Sequence, residues 1–317
     1  MAYAPWLALA TLVYISLFVG VINIDLRSVL TDPDDRHVLI YSRVPRTAAL
    51  ALAGAAMAVS GLIMQHLTRN RFVAPTTAGT VDAAAVGLLV ATVWFATAPV
   101  MGKVLIALIF ALAGTAVFVF IVQRIRFKDV VFVPLLGLVL GGAYRAIAEF
   151  AAFRHELTQA LNSWFTADFS GIIQGRYETL WLAGLVAAAA YLFANRFTAA
   201  GMGESFATNI GVNYRLVMAV GLAITAFSTA VVVVTVGAIP FLGLIVPNLV
   251  TMALGDNIRR VLPVTALVGA SAVLACDIFG RLVIAPYEIP VGTILGVLGS
   301  AVFLYLVMSR KGRFANA

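Results

Sequence analysis

The chain has 317 residues, of which 62% are hydrophobic and 11% charged, and its formal net charge is +7. A soluble domain of this size carries about a quarter charged residues, so a mean hydropathy of +1.02 excludes a surface that faces only water. The composition therefore predicts a protein that lipid covers. The single cysteine, Cys276, excludes an internal disulfide and a cluster of cysteine metal ligands.

Long apolar runs follow one another along the chain, and continuous runs favour helices over the alternating pattern of a barrel. About 20 such residues span a hydrocarbon core of about 30 Å. The runs predict about ten membrane helices, at residues 5–23, 44–66, 81–100, 104–122, 130–153, 178–195, 214–235, 240–254, 261–284 and 291–308. No basic segment precedes the first run, which we interpret as a retained helix. The eighth run is short and holds Pro240 and Pro247, which favours a broken helix.

Lysines and arginines concentrate in one set of loops, at Arg69, Arg71, Arg124, Arg126, Lys128, Arg196, Arg215, Arg259, Arg260, Arg310, Lys311 and Arg313. The opposite loops balance their cations with carboxylates, among them Asp32, Asp34 and Asp35. Because basic loops stay in the cytoplasm and ten crossings return the chain to one side, both termini are predicted to be cytoplasmic. The net charge thus indicates topology rather than a nucleic-acid partner. The predicted fold class is an all-α integral membrane protein with one transmembrane domain, residues 1–317.

Three loops are longer than a connection requires. Residues 24–43 and 154–177 lie on the outer side of the predicted topology, and Trp164 and Phe165 in the second suit a helix at the membrane interface. Residues 196–213 lie on the inner side, are polar and contain glycine, which predicts a short helix outside the bilayer.

Charges inside the predicted helices are costly and are therefore candidates for function. Arg145 and Glu149 are four residues apart on the fifth helix and can pair, either as a self-neutralising pair or on the wall of a polar passage. Asp277 and Arg281 have the same spacing on the ninth helix, where Arg281 could instead point to a partner. Asp82 begins the third helix, where a carboxylate favours helix capping.

Motifs of common enzymes are missing from the sequence. The three histidines, His37, His66 and His155, are far apart and form no recognisable metal site. No phosphate-binding loop, serine nucleophile elbow or HExxH motif is present. The chain is therefore predicted to be no enzyme and to carry no cofactor, so a separate subunit would have to hydrolyse ATP.

Three stretches together carry a resemblance to a known family. The first runs from Arg43-Val-Pro-Arg46-Thr47 through Ser60-Gly61 to QHLTRNRFVAPTTAGT at 65–80, the second is GAIPFLGLIVPN at 237–248, and the third is DIFGR at 277–281 with EIPVG at 288–292. In this order and spacing they closely resemble permeases of the FecCD family. That family imports iron–siderophores, haem and vitamin B12 through ATP-binding cassette (ABC) transporters. The first two stretches resemble the subgroup for catecholate siderophores, although many members have His where this chain has Asn248.

The resemblance implies a bacterial inner-membrane permease that works by ATP-driven alternating access. It implies a dimer with the pathway between subunits, formed with a second copy or a related permease. Two cytoplasmic ATPase subunits would carry ATP-Mg, and a periplasmic or lipid-anchored substrate-binding protein would dock outside. Vitamin B12 or haem is the alternative cargo.

The resemblance also assigns a coupling role to residues 201–213, a segment that inserts into a groove on the ATPase. The matching residues are Gly203, Glu204, Ser205, Phe206, Ala207, Thr208, Asn209, Ile210, Gly211 and Val212. A plain connector would hardly need this length.

On the outer side, Arg43, Arg46 and Arg281 match family positions that pair with acidic residues of the binding protein. Exposed arginines give bidentate contacts to carboxylates, and the alternative role is anchoring of helix ends at the interface. The pathway is expected along residues 133–172, with Tyr144, Arg145, Glu149 and Trp164 as its candidates and a weakly binding lining.

Two other classes of membrane protein are alternatives to an ABC importer. A secondary transporter would use Glu149, Asp82 or Asp277 near the middle of the bilayer, whereas these carboxylates are predicted nearer helix ends. A membrane-embedded enzyme would need a catalytic set, which the sequence lacks. The extended inner segment 196–213 favours the ABC importer over both.

Overall fold

A computed structural model describes residues 3–20, 25–124 and 132–314, and within these ranges the chain is helical, with no strand. The α-helices are α1 Ala4–Phe18, α2 Leu26–Thr31, α3 Pro33–Val38, α4 Val44–Thr68, α5 Thr80–Trp94, α6 Val100–Arg124, α7 Phe132–Arg154, α8 Thr158–Trp164, α9 Thr179–Ala189, α10 Ala194–Gly201, α11 Glu204–Asn209, α12 Tyr214–Val236, α13 Leu242–Leu254, α14 Ile258–Val283 and α15 Val291–Phe314. A π-helical segment, Leu39–Arg43, joins α3 to α4, and a 3₁₀ segment, Ala190–Phe193, joins α9 to α10.

Six helices of the described chain are long and apolar enough to cross a membrane, and four shorter apolar helices accompany them. They fall on the ten predicted runs in order, so the prediction of an all-helical membrane protein is confirmed. The ends of two predicted runs, 21–23 and 130–131, lie outside the described residues.

The helices differ sharply in how much of their surface the protein covers. In the most apolar 18-residue window of the span that contains α4, 78% of residues are buried, whereas the figure for α7 is 22%. Helix α4 packs closely on α14 because Gly54 faces Gly269, where a Cβ atom would lie 2.6 Å from the Gly269 carbonyl oxygen. Helix α4 therefore forms the centre of the bundle, and α7 lies at its edge with one face uncovered.

The eighth run forms one continuous short helix, α13, after the non-helical residues 237–241. Pro247 lies inside this helix, so the predicted break within the run is absent. Gly237 ends α12 with a φ of +87°, a conformation that favours glycine. The amide of Asn248 then donates to the carbonyls of Leu244 and Arg71, both at 2.7 Å. The amide of Gln65 donates to the Leu244 carbonyl at 3.2 Å. These bonds satisfy the Leu244 carbonyl within α13 and the Arg71 carbonyl beside it, as a membrane interior requires.

The two long loops that follow α7 and α9 contain the predicted short helices. Helix α8 occupies the first, residues 154–177, which confirms a helix there. In the second, residues 196–201 continue α10, and the separate helix is α11. Gly203 divides the two with a φ of +115°.

Candidate functional site

The residues that the sequence singled out lie in three separate places. We call them the ion-pair cluster (Arg46, Asp277, Arg281 and Glu288), the exposed face of α7, and the 203–212 segment.

The ion-pair cluster joins α4, α14 and the loop after α14. The Arg46 guanidinium lies 2.7 Å from one oxygen of Asp277 and 2.7 Å from one oxygen of Glu288. Arg281 lies 2.6 Å from the other oxygen of Asp277, so this carboxylate is shared by two arginines. The side chains of Asp277 and Arg281 are only 1% and 2% exposed. A carboxylate this deeply buried requires such partners, because an unpaired buried charge is costly.

Arg281 of the cluster, together with the neighbouring Arg43, also holds the end of α1. Arg281 donates to the carbonyl oxygen of Val19 at 2.6 Å and to the hydroxyl of Ser16 at 3.0 Å. Arg43 donates to the same Val19 carbonyl, and Ser16 shares a hydrogen bond of 2.9 Å with Thr47 on α4. The cluster therefore fixes one end of α1 against α4 and α14.

The expectation that Arg43, Arg46 and Arg281 are exposed is wrong. Arg43 is 8% exposed and Arg281 5%, while the Arg46 side chain is 13% exposed. The physical reason is that carboxylates of the same chain bind Arg46 and Arg281, while Arg43 donates to the Val19 carbonyl. Glu288, which sequence reasoning left out as a partner, binds Arg46 through both oxygens. The pairing of Asp277 with Arg281 is confirmed. The docking role of the three arginines stays a prediction.

The exposed face of α7 carries the second predicted ion pair, which is confirmed. The Nε of Arg145 donates to Glu149 at 3.1 Å, and the two side chains are 46% and 56% exposed. The Arg145 guanidinium also lies 4.2 Å from the ring centroid of Phe165, a cation–π distance. Helix α7 is thereby linked to the residues after α8, and the charged groups stay accessible.

The two sides of α7 have different surroundings. On one side Gly137 and Gly141 lie against Thr77 and Gly79, so close that a side chain would not fit at Gly137. On the other side the apolar residues Leu138, Val139, Ile147 and Phe150 are exposed. The Arg145–Glu149 pair therefore stands on an otherwise apolar surface that no other described helix of this chain covers.

Tyr144, Trp164 and Asp82 lie beside this face rather than on it. The Tyr144 ring packs near Gly79 and Gly114, on the side of α7 that faces the bundle. Trp164 packs with the small cluster that includes Leu161, and its carbonyl accepts from the amide of Ala238 at 2.9 Å. Asp82 lies in the first turn of α5, where its carboxylate points toward α7.

The 203–212 segment presents a small helix with one covered and one exposed side. Ala207 is fully buried, and its carbonyl accepts from the amide of Val212 at 2.9 Å, which closes the turn after α11. Phe206 and Ile210 are exposed, as is Glu204 at the start of the helix. The segment therefore presents an exposed side that combines Phe206, Ile210 and the charge of Glu204.

A cavity of about 450 Å³ connects this region to the first of the three sequence stretches. Its lining includes Arg69, Arg71, Met202 and Asp256. Arg71 and Asp256 form an ion pair at 2.8 Å across it. The stretch at 65–71, the end of α10 and the turn before α14 therefore lie together at one end of the molecule.

No group of three or more His, Cys, Asp and Glu side chains within the described ranges could hold a metal ion. The described site residues instead form an exposed ion pair on α7 and buried ion pairs within α14 and between α14 and α4.

Comparison with known sequences identifies the relatives of this chain. The model of the FecCD transport family matches residues 8–309. The petrobactin import system permease protein YclN of Bacillus subtilis is 44% identical over 96% of this chain and 97% of its own length. The ferric-anguibactin transport system permease protein FatD of Vibrio anguillarum is 38% identical over 97% of this chain and 98% of its own length.

A solved structure supports the fold. It is described as an inward-facing conformation of a metal-chelate type ABC transporter, and it matches with a TM-score of 0.82 over 97% of this chain and 98% of that one. At 24% sequence identity this match shows the helical architecture and no more.

Proposed function

Because the chain belongs to the FecCD transport family, we propose that it is the membrane-spanning permease subunit of an ABC importer whose cargo is an iron–siderophore complex of the catecholate type. The observation that carries the proposal is full-length similarity to two permeases, named for petrobactin and for ferric-anguibactin. The catecholate resemblance of the first two sequence stretches points the same way.

The proposed topology has ten crossings, with both termini in the cytoplasm of a bacterial inner membrane. The six long helices and four shorter apolar ones supply ten apolar elements among the described residues. The basic loops on one side support the orientation.

The proposed pathway runs along the exposed face of α7, between this chain and a second permease subunit, either another copy or a related chain. Two features support this: the face is uncovered within the described chain, and it carries Arg145 and Glu149. Half-exposed polar groups on an apolar surface offer weak, exchangeable contacts, as a passage requires. Tyr144 and Trp164 would support this wall from behind.

The proposed coupling site is the 203–212 segment, where Phe206, Ile210 and Glu204 would enter a groove on one of two cytoplasmic ATPase subunits. ATP-Mg would bind there and not to this chain. Differential binding of ATP and of the loaded binding protein to inward- and outward-facing states would drive alternating access.

The proposed docking site for the external binding protein is the end of the molecule that holds the ion-pair cluster. A cavity of about 250 Å³ there is lined by Arg46, Asp168, Ser170 and Glu288. Arg46 would offer its accessible edge to a carboxylate of the partner. Arg43 and Arg281 would act indirectly, by holding α1 and α14 in place behind it.

The test is uptake of radio-iron by cells with and without this gene, using ferric catecholate and ferric hydroxamate siderophores in turn. The proposal expects deletion to abolish uptake of a catecholate and a plasmid copy to restore it. Unchanged uptake of every siderophore, in a strain without a redundant importer, would contradict the iron assignment. Vitamin B12 and haem would then be tested, and uptake that continues without ATP would indicate an ion-coupled transporter.

A further inference from the structure

A groove on the side of the bundle has no role in the transport function proposed above. It lies between α1, α4, α9 and α14 and has a volume of about 540 Å³. Small residues create it, because Ala51, Ala55, Gly184, Ala188 and Ala266 stand where larger side chains would fill the space between the helices. The side chains that line it are hydrocarbon, except that one tryptophan and one tyrosine each carry a polar atom.

One end of the groove is marked by an arginine. Arg259 lies on the face of α14 that lines the groove, since Leu262 and Ala266 follow it at spacings of three and seven residues. Its guanidinium is 5.8 Å from the ring centroid of Tyr191, which itself lines the groove. Arg259 is exposed, and none of the five ion pairs within the described ranges includes it.

The depth of the groove matches one leaflet of a bilayer. From Arg259 to Ala270, at the far end of the α14 lining, the helix rises about 17 Å at ~1.5 Å per residue, close to half of the ~30 Å hydrocarbon core. Trp6 of α1 also lines the groove and is exposed. Tryptophan is enriched at the membrane interface, which suits a groove that begins near the head groups.

We propose that this groove binds one acyl chain of an anionic phospholipid, whose phosphate Arg259 holds. Lipid tails are as apolar as leucine side chains, so burial alone gives no preference for a chain in the groove over bulk lipid. The preference comes from the head group, because a guanidinium binds phosphate oxygens in a bidentate geometry. Basic pockets between membrane helices bind anionic head groups in this way. The topology proposed above puts Arg259 on the cytoplasmic side, so the bound lipid would belong to the cytoplasmic leaflet, and this assignment rests on that topology.

The test uses the complete purified importer complex in nanodiscs that contain a photoactivatable phosphatidylglycerol with a diazirine in its acyl chain. Phosphatidylcholine with the same chain is the comparison lipid, and mass spectrometry maps the labelled peptides. The proposal expects phosphatidylglycerol to label the α9 and α14 peptides about tenfold more than phosphatidylcholine, a preference of about 1.4 kcal/mol.

Matched variants distinguish a specific contact between Arg259 and the head group from nonspecific attraction of anionic lipid to exposed arginines. Arg259→Gln is expected to reduce labelling to the level of phosphatidylcholine, and Arg259→Lys to keep most of it. The control is Arg124→Gln, since Arg124 is also exposed and lies 4.7 Å from a ring centroid, that of Phe120, but does not line the groove.

A second pair tests the groove itself. Ala188→Leu fills the lining and should lower labelling several-fold, whereas Ala189→Leu adds the same bulk at the next exposed position, outside the lining, and should not. Equal labelling by the two lipids, or equal labelling of the two leucine variants, would overturn the proposal. So would the absence of labelling of these peptides by either lipid, which would indicate that another protein chain covers the groove. Because the readout is lipid labelling, it does not depend on the identity of the cargo.

Discussion

Two arginine–carboxylate pairs with the same spacing of four residues lie in opposite environments. Asp277 and Arg281 on α14 have side chains that are 1% and 2% exposed, while Arg145 and Glu149 on α7 are 46% and 56% exposed. Asp277 also binds Arg46, and Arg281 also binds the end of α1. On α7 the pair has one further contact, with the ring of Phe165.

The difference in burial suggests a structural role for the α14 pair and a transport role for the α7 pair. Charges in the buried pair hold three helices together, so their loss should appear as instability. Charges in the exposed pair stabilise little, because exposed ion pairs contribute about 0–1 kcal/mol. Charged groups on an uncovered apolar face of a membrane helix are nevertheless costly to keep in lipid, which supports the proposal that this face of α7 lines the passage.

The largest expected effect follows from Asp277→Asn. Removal of this charge leaves Arg281 without its carboxylate and Arg46 with Glu288 alone, which should lower the free energy of unfolding by about 3–5 kcal/mol. Thermal unfolding of the purified complex and the yield of inserted protein would measure the loss. Asp256→Asn, which breaks the exposed pair with Arg71, is the control. Equal melting temperatures for the two variants would show that the cluster has no structural role.

Glu204→Arg changes the 203–212 segment, a surface that contains neither ion pair. A reversed charge at the start of α11 should oppose entry of the 203–212 segment into its groove and reduce uptake about tenfold, equivalent to ~1.4 kcal/mol. Insertion and melting temperature should be unchanged because Glu204 is exposed. Asp34→Arg reverses an exposed charge in the first outer loop and serves as the control. Full uptake by Glu204→Arg would contradict the coupling role.

Glu149→Gln should separate stability from transport on α7. Loss of an exposed pair should change the free energy of unfolding by about 0–1 kcal/mol. Uptake of the ferric siderophore should nevertheless fall several-fold, because the wall of the passage loses a charge. Asp34→Asn, which neutralises an exposed carboxylate outside α7 and outside the proposed pathway, is the matched control. A Glu149→Gln variant that melts at a lower temperature but transports normally would show that the α7 pair has a structural role and no role in transport.

The smallest effect is expected from exchange of the two α7 residues, Arg145→Glu with Glu149→Arg. The pair can form again in reverse order, so unfolding should shift by about 0.5 kcal/mol or less. The same exchange of Asp277 and Arg281 should be strongly destabilising, since each also has partners that the other cannot serve. Similar melting temperatures for the two exchanged variants would remove the distinction between the pairs.

Much of the fold could be predicted from the sequence because lipid imposes long apolar runs. Both helical ion pairs were predicted from their spacing, since this signal is local. The break expected from Pro240 and Pro247 is absent, because α13 begins after Pro240 and continues through Pro247. The partners of Arg46 were not predicted, because Asp277 and Glu288 are more than two hundred residues away along the chain. Their approach depends on how α4 packs on α14.

For the same reason the sequence overestimated the exposure of the outer arginines. A loop arginine in a membrane protein was expected to face water, whereas Arg43 and Arg281 bind backbone carbonyls of α1. The position of Tyr144 on the covered side of α7 likewise depends on contacts with Gly79 and Gly114, which no periodicity reveals.

The most direct test of the pathway asks whether the exposed face of α7 meets water. Gly142 lies on this face with no atom within 4 Å of an added Cβ, so Gly142→Cys should fold normally. The native Cys276 is buried and gives a low background. Ile109→Cys, on the exposed side of α6 and expected at similar depth, is the lipid-facing control. A membrane-impermeant thiol reagent would be applied to the reconstituted complex with and without ATP.

A passage along α7 predicts that Gly142→Cys reacts at least about tenfold faster than Ile109→Cys, since the thiolate forms in water. Its rate should change when ATP binds, because alternating access changes which side the passage opens to. Equally slow reaction at both positions, with and without ATP, would show that lipid or protein covers this face of α7 and would contradict the proposed pathway.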